Sequence, residues 1–181
     1  MTYSLSQSPA LSRRGLLKLG LCASAFLTTA GLAASLSGCS AVGPANGFVV
    51  LQSADLPFLR ALIPVMLEGA VSPDKMPAAI EQTLASLDKS LAHLSPEMLK
   101  LTRQLFDVLG MGLTRGPLTG IWGGWENAST EQIRAFLNRW ENSYLSLLRM
   151  GHASLLQLVM MAWYNRAESW AHCGYPGPPR V

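Results

Sequence analysis

The sequence predicts an all-α protein, a single compact domain of five or six helices followed by an extended Gly/Pro carboxyl-terminal tail. Three observations predict it. Apolar residues recur at three- and four-residue spacing from Phe58 to Tyr164. Serine, aspartate and proline start signals restart that pattern at intervals. No run of any length alternates at the period of a strand.

Asp55 is a candidate N-cap with Pro57 in the first turn, ahead of Phe58, Leu59, Leu62, Val65 and Met66 on one face. Pro64 has no N–H and predicts a kink or an early end, and Gly69 stops the segment. Ser72-Pro73 begins the second, which gains its stripe of Ile80, Leu84, Leu87, Leu91 and Leu94 after Pro77. Ser95-Pro96-Glu97 starts a third, with Ser95 as N-cap and Pro96 at the first helical position. Met98, Leu101, Leu105, Val108 and Leu109 share its apolar side until Gly110 and Gly112. Residues 110–128 are glycine-rich and read as the longest irregular stretch. Ser129 with Gln132 resembles a capping box, opening a helix through Ile133, Phe136, Leu137 and Trp140. The last long helix, Tyr144 to Tyr164, is nearly apolar on every face after Gly151, so its own domain or a partner must bury it. Its Arg149, His152 and Gln157 argue against a membrane span. The prolines after Gly174 can be neither helix nor central strand, and the tail is expected to lie extended.

The amino-terminal region divides the chain. Ser12-Arg13-Arg14-Gly15-Leu16-Leu17-Lys18 reads as a twin-arginine export signal, with Arg13 and Arg14 as the recognised pair. A moderately apolar stretch continues to Leu36, diluted by glycine, serine and threonine. Leu36-Ser37-Gly38-Cys39 is a lipoprotein cleavage box, which makes Cys39 the lipidation site. The competing reading is ordinary cleavage near Ala33-Ala34 and a soluble periplasmic product. The expected organisation is a signal peptide over 1–38, a lipidated tether over 39–52 and the helical domain over 53–181. The expected location is the periplasm, anchored to a membrane by lipid, after passage through the twin-arginine translocase. A protein is usually sent folded in this way because it holds a cofactor or travels with one that does.

Charge narrows the function. Arg13, Arg14 and Lys18 account for the whole net charge of +3, and no acid precedes Cys39. The remainder is balanced, without a basic patch, and nucleic acid is excluded as a partner. Few charges and five tryptophans leave a large apolar load, which either fills the core or forms an interaction surface. With Cys22 in the signal and Cys39 taken by lipid, Cys173 is left alone. An odd cysteine in an exported protein points to an intermolecular disulfide or a reactive thiol, against the ordinary buried cysteine.

Catalytic motifs are missing from the sequence. It has no Gly-x-Gly-x-x-Gly after a strand, no Cys-x-x-Cys-His, no Gly-x-Ser-x-Gly, and too few cysteines for an iron–sulfur cluster. His93 reads as a helix C-terminal partner and His152 as a satisfied interior histidine. Glu168, His172 and Cys173 could bind a metal or activate a thiol, yet their spacing matches no standard site. Trp122 and Trp125 could form a carbohydrate platform or a hinge against a partner. The expectation is a protein that is not an enzyme, with no catalytic, cofactor-binding or metal-binding residue of its own.

The twin-arginine leader, Leu62-Ile63-Pro64, and the carboxyl end Ala162-Trp163-Tyr164, Ser169-Trp170 and Gly174-Tyr175-Pro176-Gly177-Pro178-Pro179 resemble the gluconate 2-dehydrogenase subunit 3 family. That family includes small subunits of bacterial membrane-associated, flavin-dependent sugar and alcohol dehydrogenases. The likeness covers most of the chain after the leader, and the tail is its most specific part. The lipoprotein box departs from the family pattern. The resemblance implies a non-catalytic subunit of a periplasmic complex. It would carry a large flavoprotein of the glucose–methanol–choline type through export and support its maturation. FAD would sit on that partner, and a cytochrome c subunit could complete the complex. It also implies that Trp163, Tyr164, Trp170, Tyr175, Pro176 and Pro178 face the large subunit. The alternative is a free-standing periplasmic lipoprotein that binds a ligand or envelope component through Trp122 and Trp125.

Overall fold

A computed structural model describes residues 43–177, with the backbone alone at residues 171 and 172. The fold is all-α. Seven helices are described: α1 Leu56–Met66, α2 Met76–Ala92, α3 Pro96–Gly110, α4 Gly112–Thr119, α5 Thr130–Glu141, α6 Ser146–Tyr164 and α7 Ala167–Cys173. A single 3-10 turn, Trp125–Asn127, sits between α4 and α5. Among the described residues the only β pairing is an isolated bridge between Pro44 and Gln52.

Helix α1 is the hub, in contact with α2, α3, α5, α6 and the 3-10 turn. Its Phe58, Leu59, Leu62 and Ile63 are all buried. Phe58 starts an aromatic row through the core: edge-on to Phe106 at 5.2 Å, then to Trp125 at 6.1 Å, which meets Phe136 at 5.9 Å, which meets Trp140 at 4.9 Å. Such tilted and edge-to-face pairs add about 1 kcal/mol each to the burial itself. The two indoles also do polar work. Trp125 Nε1 donates to the Leu109 carbonyl and Trp140 Nε1 to the Leu118 carbonyl, both at 2.9 Å. Each satisfies a carbonyl in the last turn of a helix that has no partner within the helix.

Several predicted boundaries stand. Ser95 caps α3 from an extended backbone and accepts the Met98 N–H, with Pro96 behind it. Ser129 and Gln132 form a complete capping box, each side chain taking the other's backbone N–H. Pro64 does not end α1, which runs two residues further.

Asp55 differs from expectation. It lies at the N-cap of α1 in a helical conformation, and its carboxylate caps nothing. Instead it accepts the Gln52 N–H at 2.6 Å and pairs with Arg103 Nη2 at 2.6 Å, almost out of reach of water.

The end of the expected tether is also corrected. Residues 45–52 are folded onto the domain. Leu51 is fully buried in the core, and Ala45 N–H donates to the Leu51 carbonyl at 2.7 Å. Asp88, buried on α2, accepts three consecutive backbone N–H groups, from Val49, Val50 and Leu51, all at 2.8 Å. Arg103 Nη1 reaches the Val50 carbonyl at 3.4 Å. The strap is thus bound by an acid on α2 and a base on α3.

Helix α4 is a second correction, because it falls inside the stretch whose glycines predict irregular structure. Gly116 and Pro117 hide its propensity. Tertiary bonds hold it: Thr114 Oγ1 donates to the Val108 carbonyl, Arg139 to the Thr119 carbonyl and Trp140 to Leu118. Gly116 lies under the Trp122 ring, and a Cβ there would approach that ring to 2.6 Å.

An Asp88→Asn variant tests the strap. It should lower unfolding stability by about 2 kcal/mol, because an amide NH2 would replace one acceptor of a charge-assisted set. Asp107→Asn, exposed on α3, should leave the urea midpoint unchanged. Equal midpoints for the two variants would show that the Asp88 contacts carry no stability.

Candidate functional site

The carboxyl-terminal corner, where α6 turns into α7, collects the aromatic residues singled out in the sequence. Trp163 begins it. Its side chain is only 5% exposed and belongs to the core, so the expectation that it faces a partner is corrected. Arg166 lies over its ring at 5.5 Å and reaches across to α2, donating to Gln82 Oε1. Arg166 also pairs with Glu168 at 3.2 Å. Glu168 is held below the ordinary carboxylate range, first by its own backbone N–H at the start of α7 and then by Arg166. Buried Ser169 donates to the Arg166 carbonyl at 2.7 Å and closes the turn.

Trp170 is the pivot of the turn after α7. Its Nε1 donates to the Tyr164 carbonyl at 3.0 Å, at the end of α6. Its own carbonyl accepts the Tyr175 N–H at 3.0 Å, and its ring meets the Tyr175 ring edge-on at 5.4 Å. Between them Gly174 takes φ +70°, a left-handed conformation that costs glycine nothing. This is a Schellman end, with the accompanying apolar contact supplied by Trp170 and Tyr175. Residues 174–177 therefore fold back over Trp170 rather than leaving the helix freely extended. Tyr164, Tyr175 and Pro176 are exposed.

The other residues singled out in the sequence are scattered. Arg13, Arg14, Cys39 and Pro178 lie outside the described residues. Cys173 is an exposed free thiol whose Sγ donates to the Trp170 carbonyl at 3.3 Å, so the buried-cysteine reading does not hold. His93 is the C-cap of α2 with Nδ1 against the Lys89 carbonyl at 2.7 Å, in keeping with a helix-end role. His152 is half-buried. The alternative of a joint Trp122/Trp125 platform does not hold, because Trp125 is in the core while Trp122 is 77% exposed.

Helix α6 resolves its all-round apolar character unevenly. Leu155, Val159, Ala162 and Trp163 are buried against the domain. Leu147, Met150, Met161 and Tyr164 are exposed on the other side. Apolarity alone could not show this, since both sides read alike.

Among the described residues no group of three His, Cys, Asp or Glu side chains could hold a metal ion, and no helix is long and apolar enough to cross a membrane. The surface of the described residues includes two shallow clefts. One of about 580 Å³ is lined by Lys89, Ser90, His93, Met161 and Asn165. The other, about 640 Å³, lies between α1 and α5 and is lined by residues that include Arg60, Pro64 and Glu126. The fold and this corner define a helical domain with an ordered aromatic edge. No protein-family model, curated protein or solved structure matches the chain.

The two loop tryptophans should separate in a stability measurement. Trp125→Ala should cost about 3–5 kcal/mol, the range for a core indole, whereas Trp122→Ala should cost well under that. Similar losses in chemical unfolding would contradict the assignment of one to the core and the other to the surface.

Proposed function

We propose that this chain is the non-catalytic small subunit of a periplasmic flavoprotein dehydrogenase complex. It carries a large subunit of the glucose–methanol–choline type through twin-arginine export, supports its maturation and holds it at the membrane by lipid on Cys39. FAD belongs to the partner. A cytochrome c subunit is the further member the resemblance implies.

One observation supports this most: an aromatic edge is held ready at the carboxyl end, with Tyr164, Tyr175 and Pro176 outward and Trp170 bonded beneath them. Tyrosine gives a large contact area with few rotatable bonds, and pre-ordering the edge removes part of the entropy cost of docking. The leader adds a second support, since Arg13 and Arg14 fit the route for folded cargo. The low charge of the domain adds a third, because uncharged apolar surface suits a lasting interface. Cys173 lies exposed beside this edge and could bridge to a thiol on the partner.

Two experiments test the reading. Arg13→Lys with Arg14→Lys should leave the flavoprotein in the cytoplasmic fraction; normal export of the partner would remove the carrier role. Tyr175→Ala should weaken capture of the flavoprotein by about 2 kcal/mol, roughly thirtyfold, without changing helicity. Undiminished capture would mean that the aromatic edge is not the contact.

A further inference from the structure

The outward face of α6 carries a regular stripe: Leu147, Met150, Ser154, Gln157, Met161 and Tyr164, spaced three, four, three, four and three. All six are exposed. Leu147 is 75%, Met150 64% and Met161 56% open to water. This spacing places all six on one face of the helix, as the residues of a helix–helix seam are placed. The helix itself is secured from behind by α2 and α5, so the stripe is a rigid presentation and not a frayed segment.

The polarity of the stripe reads the same in both directions: two apolar residues, two polar, two apolar. About a point between Leu155 and Leu156, Met150 mirrors Met161, Ser154 mirrors Gln157, and Leu147 mirrors Tyr164. We propose that this stripe is the two-fold seam of a homodimer, in which α6 of one chain packs antiparallel on α6 of a second copy. A two-fold interface must match itself, and the mirror order meets that requirement along the whole helix. Methionine meets methionine, and apolar leucine meets the tyrosine ring. At the centre the Ser154 hydroxyl faces the Gln157 amide, a donor–acceptor match that occurs twice because of the symmetry.

Charge agrees with the same occupant. None of the six positions is charged, so a second copy brings no like-charge contact onto the axis. Arg149 is drawn back, donating to the Ser143 carbonyl at 2.6 Å. Gln157 lies along the stripe with Nε2 on the Met161 sulfur at 3.8 Å, a weak contact that a serine hydroxyl would improve. Ala153, small and exposed, adds no bulk beside the centre. The seam shares Tyr164 with the edge proposed for the flavoprotein and otherwise uses different residues.

Cysteine cross-linking of the full chain in its own membranes tests the seam. In a Cys173→Ser background, Met150→Cys with Met161→Cys should shift the oxidised, non-reduced gel band to the mass of two chains, reversibly. The two cysteines of one chain are eleven residues apart, about 16 Å along the helix, and cannot bridge to each other. Met150→Cys alone faces Met161 of the other copy and should stay at the mass of one chain. A monomer band from the double variant would overturn the proposal. So would equal dimer from the single variant, and a cross-link to a protein of another mass would assign the face to a different partner. In sedimentation, Met161→Lys should reduce the purified chain from dimer to monomer mass without loss of helicity. An unchanged mass would contradict the seam.

Discussion

The fold depends on one carboxylate. Asp88 is buried on α2 and receives three successive backbone N–H groups from the strap at 2.8 Å each. Without such an acceptor the buried Leu51 N–H would be left unpaired, at roughly 1–3 kcal/mol. With it, Leu51 can enter the core and the chain can start α1 in a fixed place. The Asp55–Arg103 pair repeats the device one turn later and ties the same segment to α3. Strap, α2 and α3 therefore locate α1, which supplies Phe58, the start of the aromatic row that runs on to α5. The two carboxylates are buried, which the domain tolerates because each meets at least two hydrogen-bond donors.

Local rules carry the reading of the helices a long way and fail where tertiary contacts decide. Ser95 with Pro96 and Ser129 with Gln132 are legible because capping involves residues three apart in the sequence. Asp55 has the same signature, yet its carboxylate is claimed by Arg103, forty-eight residues away. No local pattern reports such a partner. Helix α4 fails for the opposite reason: glycine and proline argue against it locally, and bonds from α5 impose it. The strap is invisible in the sequence because its donors are backbone groups, which carry no side-chain signal.

The candidate site is legible in part. The sequence places tryptophan and tyrosine together near the carboxyl end, and the structure keeps Trp170, Tyr175 and Tyr164 at one edge. Trp163 leaves the set because the helix turns it inward, beside Arg166. The turned-back tail has a usable signal. Glycine after the helix, followed by an aromatic residue that can meet another five positions earlier, is the mark of a Schellman end. The prolines beyond it point to extension instead. The division of α6 into a buried and an open side needs the positions of α2 and α5, which its own composition does not contain.

The aromatic edge is proposed to serve a flavin-carrying partner. Immunoprecipitation of the untagged chain from detergent-solubilised native membranes tests it most directly, with the captured material scanned for flavin absorbance. A yellow precipitate containing a second, larger chain is the expected result. A colourless precipitate that holds this chain alone would contradict it.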